Sequence, residues 1–340
     1  MKRIVTFGEI MMRLNPEGYL RFTQAGKWEL SYAGGEANVA ASLAQFGLDA
    51  AFVTKLPRHE IGQSALNECR RYGVDTSLIL RGGERLGLYF VEKGASQRAS
   101  KVIYDRSGSA IALAKPEEFD WNKIFAGADW FHFTGITPAL SDNCAAATME
   151  ALRTARSLGI TVSCDLNFRK KLWTSEKAGR VMGALMPFVD ICIANEEDAA
   201  DVFGIRAEGA DVKGGDVRGE TYISVAKQLC DRFNFKKAAI TLRGSLSASD
   251  NNWSAMLYQG GEAFFAPNYR VHIVDRVGGG DSFGAALIYS QLSGWDNQRS
   301  INFAAAASCL KHSIEHDFNL ISLDEAEALA AGNASGRVQR

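Results

Sequence analysis

Apolar residues follow two rhythms along this chain. Residues 4–7 form a short β-rich run closed by Gly8 and predict a buried first strand. Residues 11–16 and 28–33 instead alternate apolar and polar side chains, as do 87–92 and 100–106, the latter two reading as a hairpin. Together these four runs predict a small, half-polar sheet that covers something without being buried itself. Between them, residues 51–54 and 77–80 read as strands, and 35–46 and 62–72 as helices.

From Trp130 the rhythm becomes strand, helix, strand. Residues 130–134, 161–165 and 189–193 predict strands, and 143–158, 175–186 and 196–203 predict helices. Repeated β-α units argue for a largely parallel sheet with helices on both faces. Ligands then sit beyond the carboxyl ends of the strands. Polar groups fall at those ends: Thr134-Gly135, Asp165-Leu166-Asn167-Phe168-Arg169 and Asn195-Glu196-Glu197-Asp198. Residues 238–242 predict another strand, ending at Arg243-Gly244-Ser245, followed by shorter strands at 255–258 and 263–266 and an alanine-rich helix at 302–312. Residues 1–330 are expected to form a single domain, with lid strands from about 11–33 and 86–106. The Gly- and charge-rich stretch 206–220 predicts an exposed, mobile insertion, and 331–340 a disordered tail.

Composition narrows the function classes. The 340 residues are 46% hydrophobic and 23% charged, with a formal net charge of -1. That is a soluble globular profile without the broad basic surface that nucleic acid requires. The six cysteines contain no C-x-x-C pair, so a metal cluster or disulfide framework is not expected, and reduced thiols fit a cytoplasmic location. No run approaches the ~18 apolar residues of a membrane span, and the N-terminal run is too short for a signal peptide. A P-loop is absent, and the first strand ends in Gly8-Glu9 without G-x-G-x-x-G, which excludes a Rossmann dinucleotide site. No histidine pairs with a serine or cysteine in a hydrolase motif.

The strongest chemical signal is Asp275-Arg276-Val277-Gly278-Gly279-Gly280-Asp281-Ser282-Phe283-Gly284. Amides at a helix start attract anions, and glycine lets a phosphate approach the backbone. A carboxylate in that field points to catalysis beside a phosphate, although an Asp N-cap after a flexible turn has the same pattern. Phosphoryl transfer asks for positioning, an anion cradle and a proton acceptor, and this stretch offers all three. Ala33-Gly34-Gly35-Glu36-Ala37-Asn38 reads either as a ligand-binding turn or as a plain glycine turn with a polar first helical turn.

Gly34-Gly35-x-x-Asn38-x-Ala40 and Gly278-Gly279-Gly280-Asp281, in that order with β-α units between, resemble the two signatures of the ribokinase-like (PfkB) sugar kinases. Gly87-Leu88-Tyr89, residues 104–110, residues 134–141 and Asp165-Leu166-Asn167-Phe168-Arg169 with Leu172-Trp173 are similar to the 2-keto-3-deoxygluconate kinases within that family. The resemblance implies an α/β fold, a three-layer α/β/α ribokinase-like domain with a mostly parallel central sheet and a small β-sheet lid. It implies ATP and Mg²⁺ as cofactors and a homo-oligomer, dimer or higher. Asp281 resembles the catalytic base, and Gly278, Gly279 and Gly280 its anion hole. Gly34, Gly35 and Asn38 resemble sugar contacts; Tyr89, Tyr104, Arg106 and Arg169 resemble contacts to a sugar acid, with Asp317 a later substrate contact. Asn167, Asn195, Arg243, Gly244, Ser245 and Ser247, with Gly278 and Gly280, resemble the ATP site. The expected reaction is ATP-dependent phosphorylation of the terminal (6-) hydroxyl of 2-keto-3-deoxygluconate; the alternative is a neutral-sugar or nucleoside kinase on the same fold.

Arginine carries the choice of substrate, because its fork matches a carboxylate. From the residues alone, Arg106 and Arg169 read as surface arginines paired with acids such as Asp105 and Asp165; the resemblance turns the reading to substrate binding. The chain departs from the family pattern in three places. Arg276 stands for threonine, Gly279 for alanine, and Asp198 for the glutamate of an N-x-x-E motif. The shorter Asp198 reads either as an organiser of Mg²⁺ and its waters or as a solvated acid in a first helical turn.

Overall fold

The computed structural model describes residues 1–206, 219–333 and 336. Most of the predicted insertion at 206–220 and of the predicted tail at 331–340 lies outside the described residues. The strands are β1 (Arg3–Phe7), β2 (Met11–Pro16), β3 (Trp28–Ala33), β4 (Asp49–Val53), β5 (Lys55–Leu56), β6 (Leu80–Arg81), β7 (Gly87–Glu92), β8 (Lys101–Asp105), β9 (Trp130–Thr134), β10 (Thr161–Asp165), β11 (Ile191–Asn195), β12 (Lys237–Ser245), β13 (Asp250–Gln259), β14 (Glu262–Phe265) and β15 (Tyr269–His272).

Among the described residues, nine of them form one sheet in the order β14-β13-β12-β11-β10-β9-β1-β4, with β15 on β13. From β12 to β4 every pairing is parallel; β13, β14 and β15 add antiparallel edges. The sequence explains why both faces are covered. Val5 and Phe7 of β1 enter one core and Ile4 the other; Phe131 and Phe133 of β9 take the first side and Trp130 the second. Successive strand residues point to opposite faces, so a run apolar at every position must have helices on both sides.

The helix Gly279–Leu292 fills the middle of the second layer, with Phe283 fully buried. Its small residues let it approach the sheet closely: a Cβ on Gly284 would lie 3.4 Å from Ile193. The four alternating runs form a separate sheet in the order β3-β2-β7-β8, with β2 and β7 parallel. A half-polar sheet cannot insert into the main core, which is why it stands apart.

Some predicted elements change. The predicted strand at 77–80 shrinks to Leu80–Arg81 because the Asp75 carboxylate accepts from the Ser77 amide at 2.8 Å, an Asx-type turn. Strand β13 starts five residues earlier than predicted, since its polar first half is held on one side by β12 and on the other by β15. Strand β15 and the helices Gly219–Phe233 and Leu323–Ala330 were not predicted. No helix among the described residues is long and apolar enough to cross a membrane.

Candidate active site

The site is built on the turn before the helix Gly279–Leu292. Gly278 caps it with φ +85°, and a Cβ there would lie 2.1 Å from the Asp317 carbonyl oxygen, so only glycine fits. The first-turn amides of this helix lack intrahelical acceptors, and the helix dipole adds to their attraction for an anion. Gly280 is exposed, with nothing within 4 Å of the place a Cβ would take, which leaves room for a phosphate. Asp281 follows in the same turn. Asn38 Nδ2 donates to its Oδ2 at 2.6 Å, and its Oδ1 faces Gly35, where an added Cβ would lie 3.5 Å away. The glycine turn near the start and the glycine run near the end, 243 residues apart for Asn38 and Asp281, therefore meet. Burial pushes the Asp281 carboxyl up to about 6; Asn38 and Arg169 work against that rise and Asp317 adds to it.

A second group of expected site residues lies at and beyond the carboxyl edge of β10. Asn167 takes the left-handed conformation at φ +39°, a geometry asparagine tolerates, and this turns Phe168 and Arg169 toward a cavity. That cavity, about 840 Å³, is bounded by Tyr104, Arg106, Phe168, Arg169, Lys171 and Asp198 among others. Arg106 stacks over the Tyr104 ring at 5.1 Å, and Tyr104 lies parallel to Tyr89 at 6.0 Å. Tyr104, Arg106 and Arg169 are thus brought together. The same fold holds Tyr89 and Asp317 to each other: the Tyr89 hydroxyl donates to Asp317 Oδ2 at 2.8 Å, and both residues are buried.

The pfkB family carbohydrate kinase model matches residues 1–314. This chain is a PfkB-family carbohydrate kinase. The kinase superposes on the crystal structure of 2-dehydro-3-deoxygluconokinase from Thermotoga maritima with a TM-score of 0.94 and 52% identity, covering 97% of this chain and 98% of that one. It superposes on a PfkB family carbohydrate kinase from Listeria grayi with a TM-score of 0.90 and 35% identity, covering 97% and 100%. By sequence it is 32% identical over 333 residues to 2-dehydro-3-deoxygalactonokinase from Haloferax volcanii, covering 98% of both chains. The fold is the ribokinase-like α/β fold, and the enzyme is an ATP-dependent sugar kinase.

Of the residues expected at the ATP site, Arg243, Gly244 and Ser245 lie at the end of β12, in a hairpin to β13. The Ser247 hydroxyl is engaged inside that turn, accepting from the Ser249 and Asp250 amides at 3.1 and 2.9 Å. Asn195 caps the helix Glu196–Phe203: its Oδ1 accepts from the Asp198 amide at 2.7 Å. Asp198 is buried and accepts from the Phe168 amide at 3.0 Å, and burial pushes its carboxyl up to about 6 against the pull of Arg169. Burial, then Asp198 and Asp281, holds Asp165 well above the usual carboxylate range, again with Arg169 offsetting. One arginine thus moderates three acids. Burial also brings the Arg276 guanidinium down to about 10, helped by nearby Arg243.

Several residues that shape the site were missed in the sequence. Glu9, wholly buried, takes Arg106 Nε at 2.7 Å and Nη2 at 2.5 Å and the Ser109 hydroxyl at 2.6 Å. It fixes the direction in which the Arg106 fork points. Glu36, also buried, accepts on Oε1 from the Thr134 amide and hydroxyl and the Thr137 hydroxyl at 3.0, 2.8 and 2.6 Å, tying the Gly34–Asn38 turn to the end of β9. Burial lifts its carboxyl to about 7. His312 explains one departure from the family pattern. Its ring carbon would lie 2.6 Å from a Cβ on Gly279, so alanine there would force the His312 ring to shift. A signal for Glu9 was present: it lies just past Gly8 at the end of β1, where parallel sheets carry their ligands.

Proposed function

We propose that the kinase transfers the γ-phosphoryl group of ATP to the terminal (6-) hydroxyl of 2-keto-3-deoxygluconate, giving 2-keto-3-deoxy-6-phosphogluconate. The observation that carries this reading is the pair Arg106 and Arg169 with Tyr104 on one cavity, with Arg169 near enough to Asp281 to lower its carboxyl pKa. A neutral sugar needs no such pair; a sugar acid brings a carboxylate suited to the Arg169 guanidinium and to the edge of Arg106 that Glu9 leaves. The similarity to the Thermotoga maritima 2-dehydro-3-deoxygluconokinase supports the same substrate class.

In the proposed mechanism Arg106, Arg169 and Tyr104 hold the acid end, while the Gly34-Gly35 turn and Asn38 hold the middle. Tyr89 and Asp317 stand behind them and set the shape of the pocket. Asp281 is mostly ionised at neutral pH, because its carboxyl titrates at about 6. It takes the hydroxyl proton as the hydroxyl oxygen bonds to the γ-phosphorus and the bond to the β-γ bridging oxygen breaks. Amides of the Gly278–Asp281 turn restrain the transferring group. On the ATP side, Asn167, Asn195, Arg243, Gly244, Ser245 and Ser247 border the place for the nucleotide.

Mg²⁺ fits this donor set as an ion carried on the nucleotide. Among the described residues no cluster of three or more His, Cys, Asp or Glu could hold a metal alone. Mg²⁺ commonly keeps several waters and binds through phosphates and one or two carboxylates. Asp198, fixed by the Phe168 amide, would orient those waters. When bound, the ion neutralises charge on the β- and γ-phosphates. The proposed enzyme works as a homo-oligomer, as the family resemblance implies, and in the cytoplasm, which its expected reduced thiols fit.

The test is ADP formation by the purified kinase on 2-keto-3-deoxygluconate, its galacto epimer, ribose, fructose and adenosine. The proposal expects kcat/KM for the gluco acid to exceed that of each neutral compound by ~10²-fold or more, since two charge-assisted bonds contribute ~1.5–3 kcal/mol each. A neutral sugar or nucleoside used as well as the acid contradicts it, and preference for the galacto acid corrects the epimer alone.

A further inference from the structure

We propose that Arg13 is a positioning residue that holds the anion-hole turn in register with the small sheet. This rests on the phosphoryl-transfer reading of the glycine turn and not on which sugar the kinase takes.

Arg13 lies on β2 of the small sheet and is wholly buried, an unusual place for a guanidinium. Its Nη1 donates to Asp317 Oδ1 at 2.5 Å and its Nη2 to Asp275 Oδ2 at 2.6 Å. Each acid leads directly to the anion hole. Asp275 Oδ1 accepts from the Val277 amide at 3.1 Å, which sets the turn just before Gly278. The Asp317 carbonyl packs against Gly278 so closely that no side chain fits between them. Tyr89 stands beside Arg13 in the β2-β7 register and donates to the other Asp317 oxygen. Two adjacent strands of the small sheet therefore grip the two segments that shape the hole. Neither acid's oxygens are left to drift.

The charges agree with this geometry. Burial works against the Arg13 charge, but Asp317 and Asp275 outweigh it and hold the guanidinium firmly protonated. Lys311 is also buried; its Nζ donates to the Ile314 carbonyl at 3.1 Å, and burial lowers its pKa while Asp275, Asp317 and Asp281 oppose that fall. Only a planar fork can span both carboxylates at once, so lysine at position 13 would keep the charge and release one arm. The released turn would shift its amides relative to the phosphoryl group, and a shift of ~1 Å is worth up to ~10²-fold in rate.

The test is Arg13→Lys, read by titrating the holoenzyme with AMP-PNP and with ADP in Mg²⁺, beside its melting temperature. No sugar is present, so a wrong substrate assignment does not affect the result. The γ-phosphate seated at the hole distinguishes the two nucleotides. The inference expects AMP-PNP to bind roughly 10-fold more weakly and ADP within roughly 3-fold of the parent, with kcat on the working substrate down by ~10–10²-fold. Unchanged binding of both nucleotides, or an equal loss for both, overturns it, because then Arg13 does not act through the hole. If Arg13→Lys does not fold, Asp275→Asn is read in the same way, with the same split expected. If neither folds, Arg13 supports the fold alone, and the inference fails.

Discussion

Replacing Asp281 by asparagine should lower kcat by ~10²–10⁴-fold while leaving the fold and the KM values close to those of the parent, because the change removes a general base without changing its shape. The geometry makes the effect large. Asp281 is the one carboxylate seated in the first turn of the Gly279–Leu292 helix, and Asn38 fixes one of its oxygens and leaves the other toward the Gly35 turn. Residual activity would come from the amides and from substrate positioning, which the substitution leaves in place. Steady-state kinetics on the variant, with circular dichroism to confirm folding, checks this. A variant with near-parental kcat would remove Asp281 from the chemistry.

Arg169→Ala should reduce kcat/KM for the sugar acid by ~10–10²-fold, the loss expected from one charge-assisted contact of ~1.5–3 kcal/mol. A second effect follows from its neighbours. Arg169 lowers the carboxyl pKa of Asp281, Asp198 and Asp165 alike. Without it the Asp281 pKa rises, the base is protonated over a wider range, and the acidic limb of activity moves to higher pH. Measured at pH 8, where the base is ionised in both proteins, the contact alone should remain visible. Any neutral sugar that is turned over should then lose far less than the acid. Equal losses at that pH would mean that Arg169 does not meet the carboxylate.

The sequence carried the central sheet well, because strands buried on both faces leave continuous apolar runs that no other element explains. The meeting of Asn38 with Asp281 was legible only through the family resemblance, since nothing local joins residues 243 apart. Long-range partners account for what was missed. From the residues alone Arg106 suits a pair with the neighbouring Asp105, yet two of its nitrogens face Glu9, 97 residues away. Tyr89 is expected to meet a sugar acid, yet its hydroxyl donates to Asp317, which Arg13 also holds. Gly279 looked like an arbitrary departure until the His312 ring occupied the space beside it. Strand β15 escaped notice because four residues are too few for an alternation to stand out.

The pH dependence of kcat/KM, followed in the parent and in Asp281→Asn, tests the proposed role of Asp281 most directly. The base acts only when ionised, so activity in the parent should be full at neutral pH and fall as pH drops through about 6. In Asp281→Asn that limb should disappear from the small remaining activity. A parental profile that stays flat well below pH 6, or a limb that persists unchanged in the asparagine variant, would contradict the assignment, because another group would then be taking the proton.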